Sequence, residues 1–159
     1  MEQLEMTKVR SVFDIAIRLM DAQNESTGAT DTADTKEYAH RTPSLLNSIL
    51  DRVYPASDTY GLFPRGSGVR DVCPKVESLD DYLNLDERIC TSVLPYGLAG
   101  LLLTEENPTQ ANFFWQTFLE QLAEAKRDLP AATIEDVENV YGGWSANHGG
   151  IEYGEFGHW

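Results

Sequence analysis

The chain has 159 residues, of which 42% are apolar and 10% aromatic, and its formal net charge is −14 at pH 7. This length and composition predict a folded chain with one sizeable core and exclude a fully disordered protein. The acidic balance argues against a nucleic-acid-binding protein, because such proteins need clustered Lys and Arg.

The first predicted element is an amphipathic helix of about four turns. Its apolar residues recur at steps of three and four: Val9, Val12, Phe13, Ala16, Leu19 and Met20. A polar stretch beginning at Asn24 ends it. We therefore expect one face of this helix to pack on the core.

A second helix is predicted to follow the polar stretch. Asp34–Glu37 has the form of a capping box, and apolar residues then recur with a helical period from Tyr38 to Val53. Pro43 interrupts this pattern directly after Thr42. With Thr42 as a cap and Pro43 in a first helical position, the chain is expected either to kink or to restart there.

Residues 55–78 are the long irregular segment between the second and third helices. Pro64–Gly68 is a strong turn signal between two short apolar pieces, so a small hairpin is an open alternative. Arg65, Arg70 and Lys75 are the one local concentration of positive charge in the sequence. Two interpretations of these residues are open: an ordinary solvated surface, or contact with an acidic partner or a phosphate backbone.

The third helix is predicted from near Asp86 to about Thr104. The run Val93–Leu103 is apolar on all sides, which indicates the most buried helix, and Pro95 is expected to bend it. This run is far shorter than the about 20 residues that span a bilayer. We therefore expect neither a membrane segment nor a signal peptide, and synthesis in the cytoplasm.

The fourth helix has the clearest start signal, with Asn107 as the cap, Pro108 at the first position and Gln110 three residues after the cap. Its predicted buried stripe is Ala111, Phe114, Trp115, Phe118, Leu122 and Ala125. Together these elements predict an all-α domain of four main helices over residues 1–130, with Leu94, Leu98, Leu101 and Leu102 also in its core.

Residues 131–159 are predicted to form an acidic arm that alternates glycine with aromatics. No Lys or Arg follows Arg127, and glycine disfavours a helix by about 1 kcal/mol per position relative to alanine. Large aromatic side chains dominate interface energetics. The expected partner-binding residues are Tyr141, Trp144, Ile151, Tyr153, Phe156 and Trp159. The alternative is an arm that folds back on its own domain.

The sequence does not indicate a catalytic, metal or cofactor site. The histidines His40, His148 and His158 do not recur at i, i+4, and Cys73 and Cys90 have neither a CxxC nor a metal-ligand spacing. No glycine-rich loop has the spacing that cradles a phosphate. We expect a non-enzymatic protein without a cofactor, in which Cys90 is a core residue.

Five stretches carry a family resemblance that spans most of the chain, and the last is the most distinctive. They are Asp31–Tyr38, Leu45–Leu50, Leu94–Leu103, Glu106–Leu119 and Ile151–Trp159. These stretches resemble the head–tail adaptor (connector) family of long-tailed phages and prophages. The resemblance implies a structural virion protein made in the host cytoplasm and located at the head–tail junction.

The implied assembly is a ring of about twelve copies beneath the portal at the capsid vertex. The ring would extend the DNA channel and support the stopper or tail-completion protein, and the arm would reach the portal. DNA would pass through an acidic lumen without specific binding. Two other classes stay open: another neck or tail-completion protein, expected to be richer in β-structure, and a monomeric cytosolic acidic interaction protein such as an inhibitor or DNA mimic.

Overall fold

The computed structural model describes residues 6–60 and 72–128, and this part of the chain is all-α, as predicted. Its four α-helices are α1 (Val9–Leu19), α2 (Lys36–Val53), α3 (Leu94–Leu102) and α4 (Pro108–Arg127). A 3-10 turn, Tyr54–Ala56, follows α2, and a π-helical turn, Ile89–Val93, leads into α3. The predicted hairpin, the predicted boundary at residue 130 and the arm at 131–159 lie outside the described residues.

Helix α1 buries the predicted face and ends in a Schellman motif. Val9, Val12, Phe13, Ala16 and Ile17 are buried, whereas Leu19 and Met20 only border the core. After the last helical residue, the N–H of Asp21 donates to the carbonyl of Arg18 at 3.1 Å and the N–H of Ala22 to that of Ile17 at 3.0 Å. Asp21 has a φ of 56°, so an aspartate occupies the left-handed position that favours glycine.

The segment before the third helix holds the start of α1. The N–H of Val9 donates to the carbonyl of Asp81 at 2.9 Å, and the N–H of Leu83 donates to the carbonyl of Thr7 at 2.8 Å. Lys8 and Tyr82 form an isolated antiparallel bridge. Among the described residues this pairing does not extend into a strand.

The predicted capping box of α2 is wrong. Helix α2 begins at Lys36 after Thr35, so Asp34 is not the cap, and the Thr35 side chain caps no helical N–H. Instead, the buried Thr35 hydroxyl donates to the carbonyl of Thr30 at 2.6 Å and accepts from the N–H of Thr32 at 3.0 Å. The hydroxyl organises the preceding loop, which leaves the first turn of α2 without a side-chain cap.

Pro43 lies inside α2 and does not restart the helix. Proline removes the N–H that would bond the carbonyl of Ala39, an interior defect that costs about 3 kcal/mol. The expected cap at Thr42 is wrong, since its hydroxyl donates back to the carbonyl of Tyr38 at 2.7 Å. The buried apolar residues of the same helix, Leu46, Ile49, Leu50 and Val53, offset the defect because each contributes about 1.5–3 kcal/mol.

Helix α3 is the central helix, as predicted, and contacts each of the other three. The carboxylate of Asp86 accepts from the N–H of Ile89 at 2.8 Å, so the helical path starts near the expected residue. The π-helical turn Ile89–Val93 ends two residues before Pro95, and it contains Thr91, the residue whose carbonyl a proline ring at position 95 would meet in a regular α-helix. Leu94, Leu98 and Leu102 are buried as predicted, whereas Leu101 is only partly buried.

Glycines of α3 set the distance to its neighbours. A Cβ on Gly97 would lie 2.9 Å from the Phe118 ring and 3.0 Å from Ile49. A Cβ on Gly100 would lie 3.2 Å from the carbonyl oxygen of Ala111 and 3.3 Å from the backbone nitrogen of Trp115. These two glycines therefore let α2 and α4 approach α3 closely.

The predicted start of α4 is confirmed. The side-chain oxygen of Asn107 accepts from the N–H of Gln110 at 3.1 Å, and Pro108 is the first helical residue. The buried stripe consists of Ala111, Phe114, Phe118, Leu122 and Ala125. Trp115 was expected in the stripe but is only partly buried. Because Trp115 directly follows the buried Phe114, its side chain projects about 100° around the helix from that of Phe114.

Candidate partner-binding surface

Most of the predicted binding residues lie outside the described part of the chain. These are Arg65 and Arg70 in the long loop and Tyr141, Trp144, Ile151, Tyr153, Phe156 and Trp159 in the arm. Lys75 is the only one of the nine proposed contact residues that the structure describes. The contacts of the other eight stay predictions.

Lys75 lies against α2. Its ammonium is 2.8 Å from the carboxylate of Asp51 and donates to the carbonyl of Asn47 at 3.4 Å. The adjacent backbone is held by the Asn47 side chain, which donates to the carbonyl of Val76 at 2.7 Å and accepts from its N–H at 2.9 Å. An exposed ion pair contributes only about 0–1 kcal/mol, so Lys75 can exchange Asp51 for an acidic partner at little cost.

An open apolar groove lies between α3 and the first half of α4. Its volume is about 250 Å³. It is lined by Gly100, Leu101, Thr104, Pro108, Ala111, Asn112 and Trp115. The small Gly100 and Ala111 leave room between the helices, while Leu101 and Trp115 supply large, partly exposed apolar surfaces. We call it the α3–α4 groove.

The lining of the groove is mainly apolar, and Thr104 and Asn112 are its two polar side chains. The Thr104 hydroxyl donates to the carbonyl of Gly100 at 2.9 Å, and Pro108 has no N–H to offer. The exposed amide of Asn112 lies at the rim. An occupant would therefore bind mainly by burying apolar surface.

Trp115 is held in place from two sides. Its ring packs on the Phe118 ring, with centroids 4.9 Å apart and planes at 41°. The guanidinium carbon of Arg52 lies 5.5 Å from the indole centroid, a cation–π distance. Arg52 is exposed and forms no ion pair with any other described residue. Within the described residues, the groove thus has an aromatic wall with a positive charge beside it that forms no ion pair there.

A hydrogen bond ties α2 to the connection that leads into α4. The Tyr38 hydroxyl donates to the carboxylate of Glu106. Burial, followed by this hydrogen bond, raises the pKa of Tyr38 to about 12. The hydroxyl is therefore a neutral donor at physiological pH, and it holds the connection between Thr104 and Pro108 at the end of the groove.

Sequence reasoning missed a second exposed aromatic, Phe113, whose surface is 64% accessible. It lies 5.8 Å from Phe114, which is in turn 6.3 Å from Tyr96, measured between ring centroids. Phe113 is two residues from the stripe residue Ala111, and a 200° rotation turns it away from the core. Single exposed apolar residues are normal on folded proteins, so Phe113 alone does not define a site.

Both cysteines, Cys73 and Cys90, are buried. Burial raises the pKa of Cys90 to about 12, so Cys90 is a core residue, as predicted, and a thiol at neutral pH. Within residues 6–60 and 72–128, no group of three or more His, Cys, Asp or Glu side chains is arranged to hold a metal ion. In the same residues, no helix has the length and apolar content needed to cross a bilayer.

Comparisons with protein-family models, curated proteins and solved structures found no match to this chain.

Proposed function

We propose that this chain is a head–tail adaptor: a structural virion protein that forms a ring under the portal, extends the DNA channel and joins the capsid to the tail. The resemblance of five stretches to that family supports the proposal. The structural observation that carries it is the α3–α4 groove. A helical body with an aromatic wall at Trp115 and the cation of Arg52 beside it is suited to docking a protein segment.

The proposed partners are the portal protein, the stopper or tail-completion protein, and further copies of the chain in a ring of about twelve. The arm residues Tyr141, Trp144, Ile151, Tyr153, Phe156 and Trp159 would bind the portal or an adjacent subunit. Arg65, Arg70 and Lys75 would make the loop contacts. These assignments place the protein at the head–tail junction of the virion, after synthesis in the bacterial cytoplasm.

The charge of the chain supports passage of DNA without binding. A net charge of −14 gives the ring a negative potential. A channel lined by carboxylates would repel phosphates and not retain them. The DNA would therefore slide through the ring without specific contact.

The direct test is attachment to portal-bearing capsids of the phage that encodes the chain. Purified protein is incubated with DNA-filled, tailless capsids, which are reisolated by sedimentation and imaged by electron microscopy. The proposal predicts a ring at the portal vertex and none on capsids assembled without portal. A chain that stays monomeric and off the capsids would contradict it and favour a cytosolic acidic interaction protein.

A further inference from the structure

The geometry points to an occupant for the α3–α4 groove: the segment Ile151–Trp159 of a second copy of this chain. This inference rests on the proposed function, since a ring brings copies side by side. Beyond that function, it specifies the contact: the α3–α4 groove of one copy binds the segment Ile151–Trp159 of the next.

The segment matches the groove in apolar character. Tyr153, Phe156 and Trp159 recur every third residue, separated by Gly154 and Gly157. The groove offers the indole of Trp115, and its volume of about 250 Å³ has space for about one large side chain at a time. An aromatic side chain would enter beside Trp115, and glycine neighbours would let the backbone lie close to α4.

The segment also matches the groove in charge. The guanidinium carbon of Arg52 lies over the Trp115 ring, 5.5 Å from its centroid, and Arg52 forms no ion pair with the other described residues. A guanidinium has five N–H donors in a planar fork that fits a carboxylate. Glu152 directly precedes Tyr153, and Glu155 directly precedes Phe156. An aromatic docked in the groove would therefore place a carboxylate near Arg52.

The chain that leaves α4 can reach a neighbouring copy. Helix α4 has 20 residues, about 30 Å, and the groove lies along its first half while the chain departs from its far end. Residues 129–150 can extend about 70 Å, at about 3.3 Å per residue. Because groove and segment are different surfaces, their contact is heterologous, which is the kind of interface that closes into rings.

A charge swap tests the contact in the full-length chain. Arg52→Glu should weaken self-association about tenfold or more in analytical ultracentrifugation, because attraction to Glu152 and Glu155 becomes repulsion. Adding Glu152→Arg and Glu155→Arg should restore it. Arg18→Glu, the same charge change on α1, should leave it unchanged. A wild-type chain that does not self-associate, or an Arg52→Glu chain that assembles normally, would overturn the proposal.

Cross-linking between labelled copies identifies the donor of the segment without relying on a groove variant. A photoreactive benzoylphenylalanine replaces Phe156, and ¹⁴N and ¹⁵N chains are mixed before irradiation. We expect mixed-label cross-links that join the segment to peptides containing Leu101 or Trp115. Links only within one label, or links elsewhere, would overturn the proposal. Neither assay contains portal or capsid, so groove docking can hold while the adaptor function fails, and the reverse.

Discussion

The guanidinium carbon of Arg52, in the last turn of α2, lies 5.5 Å from the centroid of the Trp115 ring on α4. Phe118 supports the same ring from the core side, at a centroid distance of 4.9 Å. A cation–π contact at an exposed position contributes about 0.5–1 kcal/mol. The pair therefore adds modestly to stability, and its main consequence is a preformed aromatic wall for the α3–α4 groove.

Truncation of Phe118 should strongly destabilise the helical body. The residue is fully buried and fills the space above Gly97. Phe118→Ala should lower the free energy of unfolding by about 3–5 kcal/mol, measured by urea denaturation. Phe113→Ala is the matched control, since the same side chain is removed from a surface position and should cost less than about 1 kcal/mol. A loss below about 1 kcal/mol for Phe118→Ala would contradict the packing of α4.

Replacement of Asp21 by glycine should stabilise the protein. It adopts a left-handed φ of 56° at the end of α1, where its carboxylate also faces the negative end of the helix dipole. Asp21→Gly should raise the free energy of unfolding by about 0.5–1 kcal/mol. Asp21→Ala should lower it by about 1 kcal/mol, because alanine keeps the Cβ but lacks the short polar side chain that lets aspartate adopt a positive φ and accept a hydrogen bond from Gln23. Thermal unfolding of the two variants checks the opposite signs, and a shift in the same direction would refute the Schellman assignment.

Stability should fall at alkaline pH through Tyr38. Folding raises its pKa from 10.0 to about 12, so the fold favours the protonated hydroxyl. The corresponding stabilisation is fully present below pH 10 and is lost as the pH rises through 12. Tyr38→Phe should remove this part of the pH dependence and the hydrogen bond to Glu106. The check is urea unfolding of both proteins between pH 8 and 12. Parallel pH profiles would contradict the Tyr38–Glu106 contact.

Charge reversal in the long loop should weaken assembly without unfolding the helices. Arg65→Glu, Arg70→Glu and Lys75→Glu together should reduce attachment to portal-bearing capsids and leave the helical circular dichroism unchanged. Lys75→Glu alone places the new carboxylate beside that of Asp51. The double variant Lys75→Glu with Asp51→Lys is therefore the control, because it restores an ion pair with α2. Loss of helical signal in the triple variant would show that the loop is structural.

Local sequence signals correctly predicted features that depend on contacts within one helical turn. The start of α4 is correct because Asn107, Pro108 and Gln110 act within one turn. The capping box at Asp34 failed because the Thr35 hydroxyl bonds to the preceding loop at Thr30, a contact that spacing does not reveal.

Structural features that depend on tertiary packing were predicted less well from the sequence. Of the two alternatives expected at Pro43, a kink or a restart, the restart is wrong, because burial along the rest of α2 outweighs one missing hydrogen bond. The contact of Arg52 with Trp115 joins two helices far apart in sequence. The periodicity of the sequence could not have identified this contact, nor the groove wall that includes it. The partly exposed position of Trp115 could have been inferred, because it directly follows the buried Phe114.

The central claim is that the C-terminal arm attaches the helical body to its assembly partners. Its most direct test is deletion of residues 141–159, followed by circular dichroism and co-sedimentation with portal-bearing capsids. The account predicts a soluble, folded helical protein that no longer joins the capsids. A truncated protein that unfolds, or one that still attaches normally, would contradict the account and favour a C-terminal segment that covers its own core.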